Sequence, residues 1–116
     1  MIRRFSEQGK RTREKVQGGN GTLLFQDLFT AEELGNRLQM CSAVTLMSGE
    51  SIGEHAHTEN GELYYILQGT ATMVEDGKEF TLCAGDAQFC ADGHTHGIAN
   101  FGLAPLVFLA VIMPNK

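Results

Sequence analysis

The residues with the greatest chemical capacity in this chain are His55, His57, Glu62 and His96. His55-Ala56-His57 places two imidazoles at i and i+2. On a β-strand such side chains share a face, because the pleat alternates with a period of two. Glu62 follows His57 by five residues, so a glutamate opening the next strand can reach back across a short turn. His96 lies thirty-nine residues beyond His57, past two further turn signals, and must come from a separate strand. The four groups converge only if the sheet closes on itself. Three neutral imidazoles and one carboxylate suit a divalent first-row metal with open positions for a ligand.

The elements that must position these groups are short strands. β-forming runs occupy residues 22–28, 42–47, 62–67, 70–75, 78–82, 87–90, 95–100 and 106–113. Asp76-Gly77 joins two of them with the strongest hairpin signal in the chain. Thr30 and Glu33 have capping-box spacing, but Gly35 and Asn36 follow too soon for more than about one helical turn. Turn signals every ten or so residues, with fourteen glycines and two prolines, favour an all-β sandwich or barrel of antiparallel strands.

A length of 116 residues fits one domain with a real core and no separate regulatory domain. A hydrophobic content of 42% against 20% charged residues is that of a folded globule rather than a disordered chain. No apolar run reaches bilayer length and the N-terminus lacks a signal-like apolar stretch, so a cytoplasmic protein without membrane contact is expected. Cys41, Cys83 and Cys90 are odd in number and lack C-x-x-C spacing, which argues against a disulfide framework and a zinc knuckle. Cys83 and Cys90 flank a turn at residues 84–86 and are placed to face each other. Charge is uneven: residues 1–15 carry six basic groups against two acids, a net of +4, and the rest of the chain carries −9. With Phe5 as its sole aromatic, that arm has little to engage nucleic acid, and it reads as a solvated arm. Gly18-Gly19-Asn20-Gly21 is a natural boundary, which divides the chain into a basic arm at 1–20 and a β-barrel domain at 21–116.

From Gly49 through His55, His57 and Glu62 to Gly69, the chain resembles the first motif of the cupin superfamily, G(x)5HxH(x)4E(x)6G. From Gly85 through Ala91, Gly93 and His96 to Asn100 it is similar to the second, G(x)5PxG(x)2H(x)3N, with alanine at position 91 where the family has proline. The resemblance implies a double-stranded β-helix, or jelly-roll barrel, of a small single-domain cupin. It also implies that His55, His57, Glu62 and His96 are metal ligands, that Gly49, Gly69, Gly85 and Gly93 mark turns, and that the protein is a homodimer.

Period two gives the pocket's other occupants: Tyr64 and Ile66 with Glu62, and Ile98 and Asn100 with His96. Phe80, Phe89 and Phe108 are assigned to packing. Leu63, Tyr65 and Leu67 fall on the opposite face, which is too apolar for open water and calls for cover by another layer or subunit. The four ligands leave about two positions of an octahedron for water, dioxygen or a chelating substrate. Glu54 and Glu59, near the ligand turn, are candidate bases. The expected activity is metal-dependent isomerase, decarboxylase or dioxygenase chemistry on a small carbohydrate- or carboxylate-type metabolite, with manganese, iron, nickel or zinc as the ion. The alternatives are a non-catalytic module that senses or carries a small molecule through the same metal, and a structural dimer with an idle pocket.

Overall fold

A computed structural model describes residues 1–116. Its ten strands are β1 (Gly9–Glu14), β2 (Thr22–Asp27), β3 (Met40–Leu46), β4 (Ser51–Ala56), β5 (Asn60–Gln68), β6 (Thr70–Glu75), β7 (Lys78–Cys83), β8 (Ala87–Cys90), β9 (Thr95–Ala99) and β10 (Leu106–Pro114). They form a six-stranded sheet in the order β1-β2-β3-β10-β5-β8 and a four-stranded sheet in the order β4-β9-β6-β7. The two sheets face each other as the expected jelly roll, and every pairing is antiparallel. Asp76 and Gly77 both adopt positive φ, as the tight hairpin joining β6 to β7 requires.

Alternation fills the space between the sheets. Val44, Ile66 and Phe108 from the larger sheet meet Ile52, Met73 and Ile98 from the smaller one, all buried. Burying one such side chain contributes roughly 1.5–3 kcal/mol. Asn100 is buried too, but its role is architectural: Nδ2 donates to the carbonyls of Leu46 and Ala104, both at 2.9 Å, and fixes the connection into β10.

Several local features differ from the sequence reading. Residues 9–14 of the basic arm form β1, which pairs along β2 from Gly9↔Asp27 to Glu14↔Thr22, so this part of the arm is the sheet's edge strand. The Thr30/Glu33 capping box closes from both sides, at 2.9 and 3.1 Å, and Leu34 N–H reaches the Thr30 carbonyl at 3.1 Å. Gly35 and Asn36 then turn left-handed and stop the helix at that single turn, as expected. Further 3-10 turns at Phe5–Glu7 and Val16–Gly18 carry no strong sequence signal. Phe108 packs in the core, whereas Phe80 and Phe89 are 45% and 49% exposed: Phe89 sits on the outward phase of β8, and Phe80, opposite buried Met73, faces inward but lies on the uncovered edge strand β7. Cys83 is exposed on β7 and Cys90 buried on β8, in different sheets, so the two thiols do not face each other.

Candidate metal centre

His55 and His96 are direct partners across β4 and β9. Toward Ile52 the register shifts: Ile52 pairs with Ile98, so β4 spends three residues where β9 spends two. This bulge turns both Ile52 and His55 inward although they are an odd number apart. His57 lies just past the end of β4, held by its N–H to the His94 carbonyl at 3.1 Å and by Gly93 N–H to its own carbonyl at 2.8 Å. The turn that supplies Gly93 closes through His94 N–H to the Ala91 carbonyl at 3.1 Å, so alanine at position 91 serves there. Glu62 enters from β5, between Ile112 of β10 and Cys90 of β8.

All four side chains converge. Glu62 Oε1 lies 3.0 Å from His57 Nε2, 3.0 Å from His96 Nε2 and 3.6 Å from His55 Nε2. His57 Nε2 and His96 Nε2 are 3.2 Å apart, and the four donor atoms all fall within 4.8 Å of one another.

The outer ring nitrogens decide what those donors can do. His55 Nδ1 faces the Gly53 carbonyl at 2.8 Å, an obligate acceptor, so Nδ1 carries the proton. His96 Nδ1 donates to Gln88 Oε1 at 2.9 Å, and the amide is oriented by Gln88 Nε2 donating to the Glu75 carboxylate at 3.1 Å. His57 Nδ1 donates to Asn60 Oδ1 at 2.8 Å, and Asn60 Nδ2 in turn donates to Gln39 at 2.8 Å. With every Nδ1 protonated, each neutral ring offers Nε2 as a lone pair. Three lone pairs and a carboxylate oxygen then point at one another with no donor between them. That arrangement is repulsive until a cation enters. Adjacent donors bound to an ion at about 2.1 Å stand about 3 Å apart, close to the observed spacing. The residues therefore fit a divalent metal, and the group could hold one.

Burial alone would raise the Glu62 carboxyl, but where the rings take up protons on Nε2 in place of a metal, hydrogen bonding from His55 and His96 and the charge of the protonated imidazoles hold it at about 2. It is an anion at any ordinary pH. Burial also opposes charge on His55, where the Glu62 carboxylate and the Gly53 carbonyl more than offset it and leave that ring raised. At His96, which is fully enclosed, burial wins and the pKa is lowered. Tyr64 stacks on the His96 ring at 4.6 Å and fixes its plane. Burial, then the neighbouring Glu62 carboxylate, push the Tyr64 phenol well above its ordinary range, so it remains a protonated donor.

The Cupin domain family model matches residues 42–112, a span that contains all four converging side chains. The chain belongs to the cupin family. It is 34% identical over 113 residues to an oxalate-binding protein of Thermotoga maritima, covering 97% of this chain and 93% of that one. A crystal structure of a predicted oxalate decarboxylase from Thermotoga maritima superposes with a TM-score of 0.94 at 34% identity, over 98% of this chain and 99% of that one. A cupin-superfamily sugar phosphate isomerase from Silicibacter pomeroyi, 20% identical over 99% of this chain and 76% of its own, gives a TM-score of 0.81 and shares the fold.

In this cupin the converging donors open on a cavity of about 390 Å³, toward the small end of ligand sites. Val44, Ile52 and Ala110 supply its apolar wall, and Tyr64 lines it as expected. Glu62 is its sole carboxylate and Arg13, from β1, its sole permanent cation. Glu54 and Glu59 are exposed and do not line it, because both lie on outward phases of the ligand loop. The sequence reading missed Gln88, Asn60 and the Gly53 carbonyl, which hold the rings, and also missed Arg13 and Gln17. Gln88 had a signal: it is two residues before the inward Cys90 and opposite Tyr64. Arg13 had only its alternation with Arg11 within a run too charged to read as a strand.

Proposed function

We propose that His55, His57, Glu62 and His96 bind a divalent transition metal, manganese, iron, nickel or zinc, and that the protein uses it on a small carboxylate-type metabolite. The observation that carries this reading is the proton arrangement: three Nδ1–H groups committed outward leave Nε2 lone pairs and an anionic Glu62 facing one point. When bound there, such an ion supplies Lewis acidity toward a chelating carboxylate or hydroxyl and, if redox-active, one-electron chemistry. The chain's own residues set its terms. Gly53, Asn60 and Gln88 keep the rings in one tautomer and orientation, and Val44, Ile52 and Ala110 exclude water from one side of the ligand. Tyr64 stays neutral and can donate a hydrogen bond without altering the charge of the site.

The preferred activity is decarboxylase-type turnover of a small dicarboxylate, supported by the 34% identical relative described as a predicted oxalate decarboxylase. Isomerase and dioxygenase chemistry are the other classes open to the same ion. A second reading, a carrier or sensor that binds without turnover, is supported by the relative named an oxalate-binding protein and by a cavity with no carboxylate other than Glu62 to serve as a base. Elemental analysis of untagged protein beside the His55→Ala/His57→Ala variant tests the metal. Near-stoichiometric metal in the wild type alone is expected, and none in either protein after anaerobic reconstitution would defeat the proposal. Carbon dioxide release from candidate dicarboxylates then separates enzyme from carrier.

We further propose a homodimer through the outer face of the larger sheet. Leu63, Tyr65, Leu109, Val111 and Phe89 share that face by register, and Tyr65 and Phe89 are 40% and 49% exposed. Light scattering should give twice the chain mass for the wild type and a monomer for Tyr65→Lys. A monodisperse wild-type monomer at high concentration would sink the idea. The three free thiols fit a reducing compartment, which supports the cytoplasm as the location.

A further inference from the structure

Arg11 and Arg13 occupy the same face of β1, opposite the inward residues Phe25 and Leu23 of β2. Both guanidiniums lie over the Phe25 ring, at 4.7 and 5.2 Å from its centroid. Their charges have different fates. Arg11 is tied to the Asp27 carboxylate, with Nε 3.1 Å from Oδ2. Arg13 has no carboxylate partner, and it lines the same cavity as His55, His57 and Glu62. It is the one side chain there with a permanent positive charge and five unassigned donors.

Arg13 is solvent-exposed, and the backbone that follows it is fixed against β4. Lys15 and Gln17, neither of them glycine, adopt left-handed φ of 47° and 53°, a conformation retained only where surroundings enforce it. Here the segment is pressed onto β4. A Cβ on Gly53 would stand 2.1 Å from the Gln17 carbonyl oxygen, and one on Gly19 would stand 2.2 Å from that of Ser51. Lys15 N–H donates to the Gly21 carbonyl at 2.9 Å and Ser51 N–H to that of Asn20 at 3.0 Å. The left-handed segment thus lies between Arg13 and Gln17, both of which line the cavity.

We infer that Arg13 is the anion-recognising residue of the cavity, forking onto the carboxylate oxygens that a small chelating dicarboxylate leaves free when its others sit at the tetrad. This rests on the metal reading above. Charge supports a dianion: a divalent ion with Glu62 and Arg13 leaves the cavity two units positive, inside a body that carries −9 outside residues 1–15. Without Arg13, a dianion would approach against that field with one fewer compensating charge. Arginine suits the role because its planar fork meets a carboxylate bidentately and already lies over the Phe25 ring.

The test is calorimetric titration of manganese-loaded wild type, Arg13→Gln and Arg13→Lys with oxalate, beside acetohydroxamic acid, a chelator with no carboxylate. Metal content of each protein is measured on the same samples. We expect equal manganese in all three, an oxalate Kd weakened about tenfold or more in Arg13→Gln and partly restored in Arg13→Lys, and hydroxamate binding within about twofold throughout. Loaded Arg13→Gln that binds oxalate like wild type would overturn the inference and leave the metal reading standing. Parallel loss of both chelators would also overturn it, since Arg13 would then act on the metal centre or the fold. A wild type that takes up no manganese, iron, nickel or zinc would remove the metal reading and this inference together.

Discussion

Gln88 is clamped between a carboxylate and an imidazole: Nε2 donates to Glu75 Oε1 at 3.1 Å while Oε1 accepts the Nδ1–H of His96 at 2.9 Å. Because Glu75 can only accept, the amide cannot flip, and His96 is held with its Nε2 lone pair inward. Such outer partners are worth about 10–100-fold in metal affinity. Gln88→Leu should therefore bind metal 10–100-fold more weakly, as measured by competition with a chromogenic chelator, with all four donors still present. A change below about threefold would show that Tyr64 stacking alone orients the ring.

Protons compete with the metal for the same lone pairs. The Glu62 carboxyl, held at about 2, stays ionised through mild acid, so the imidazoles set the pH at which metal leaves. Affinity should fall as pH drops through the histidine range, with metal released by about pH 4. Equilibrium dialysis at stepped pH checks this. Full occupancy at that pH would mean that the imidazoles are not the ligands.

The parts of this molecule that obey simple periodicity were legible in its sequence. Glu62, Tyr64 and Ile66 do share a face, as do His96 and Ile98, and Asp76-Gly77 does close a hairpin. Two kinds of feature escaped. Between Ile52 and His55 the bulge breaks the alternation, and nothing short of the pairing with β9 reveals where the extra residue goes. β1 escaped because an edge strand whose inward positions are arginines stacked on Phe25 has no apolar alternation to detect. The four converging side chains could be found from spacing, whereas their hydrogen-bond partners depend on register between strands that are distant in sequence.

Gly53 connects these features, since its carbonyl orients His55 and its missing side chain admits the Gln17 backbone. Gly53→Ala keeps the carbonyl but places a Cβ 2.1 Å from that backbone oxygen, so the segment must shift. We expect a loss of roughly 1–3 kcal/mol in stability. Tryptic cleavage at Lys10, Arg11, Arg13 or Lys15 should become faster, while metal content stays near wild type. Unchanged cleavage rates and melting temperature would show that the approach is relieved at little cost.

Asp27 fastens the edge strand to the sheet from outside the metal centre. It accepts from Arg11 and, at 2.5 Å, from the Ser42 hydroxyl. Burial disfavours its charge, but the Arg11 and Ser42 hydrogen bonds outweigh that and lower its pKa in the fold. A carboxyl that ionises more readily folded than unfolded stabilises the fold fully above its unfolded value, and loses that contribution as pH falls through its folded value. The Arg11 side chain is 39% exposed, so solvent screens the pair and the contribution is modest. Asp27→Asn should be less stable than wild type by about 1 kcal/mol at pH 7, with the gap closing toward zero in acid once Asp27 is protonated in the fold. Urea denaturation of metal-free protein at pH 7 and in acid reads the difference without interference from the centre. A gap that persists unchanged in acid would assign the stabilisation to packing and neutral hydrogen bonding at Asp27, with no part played by its charge.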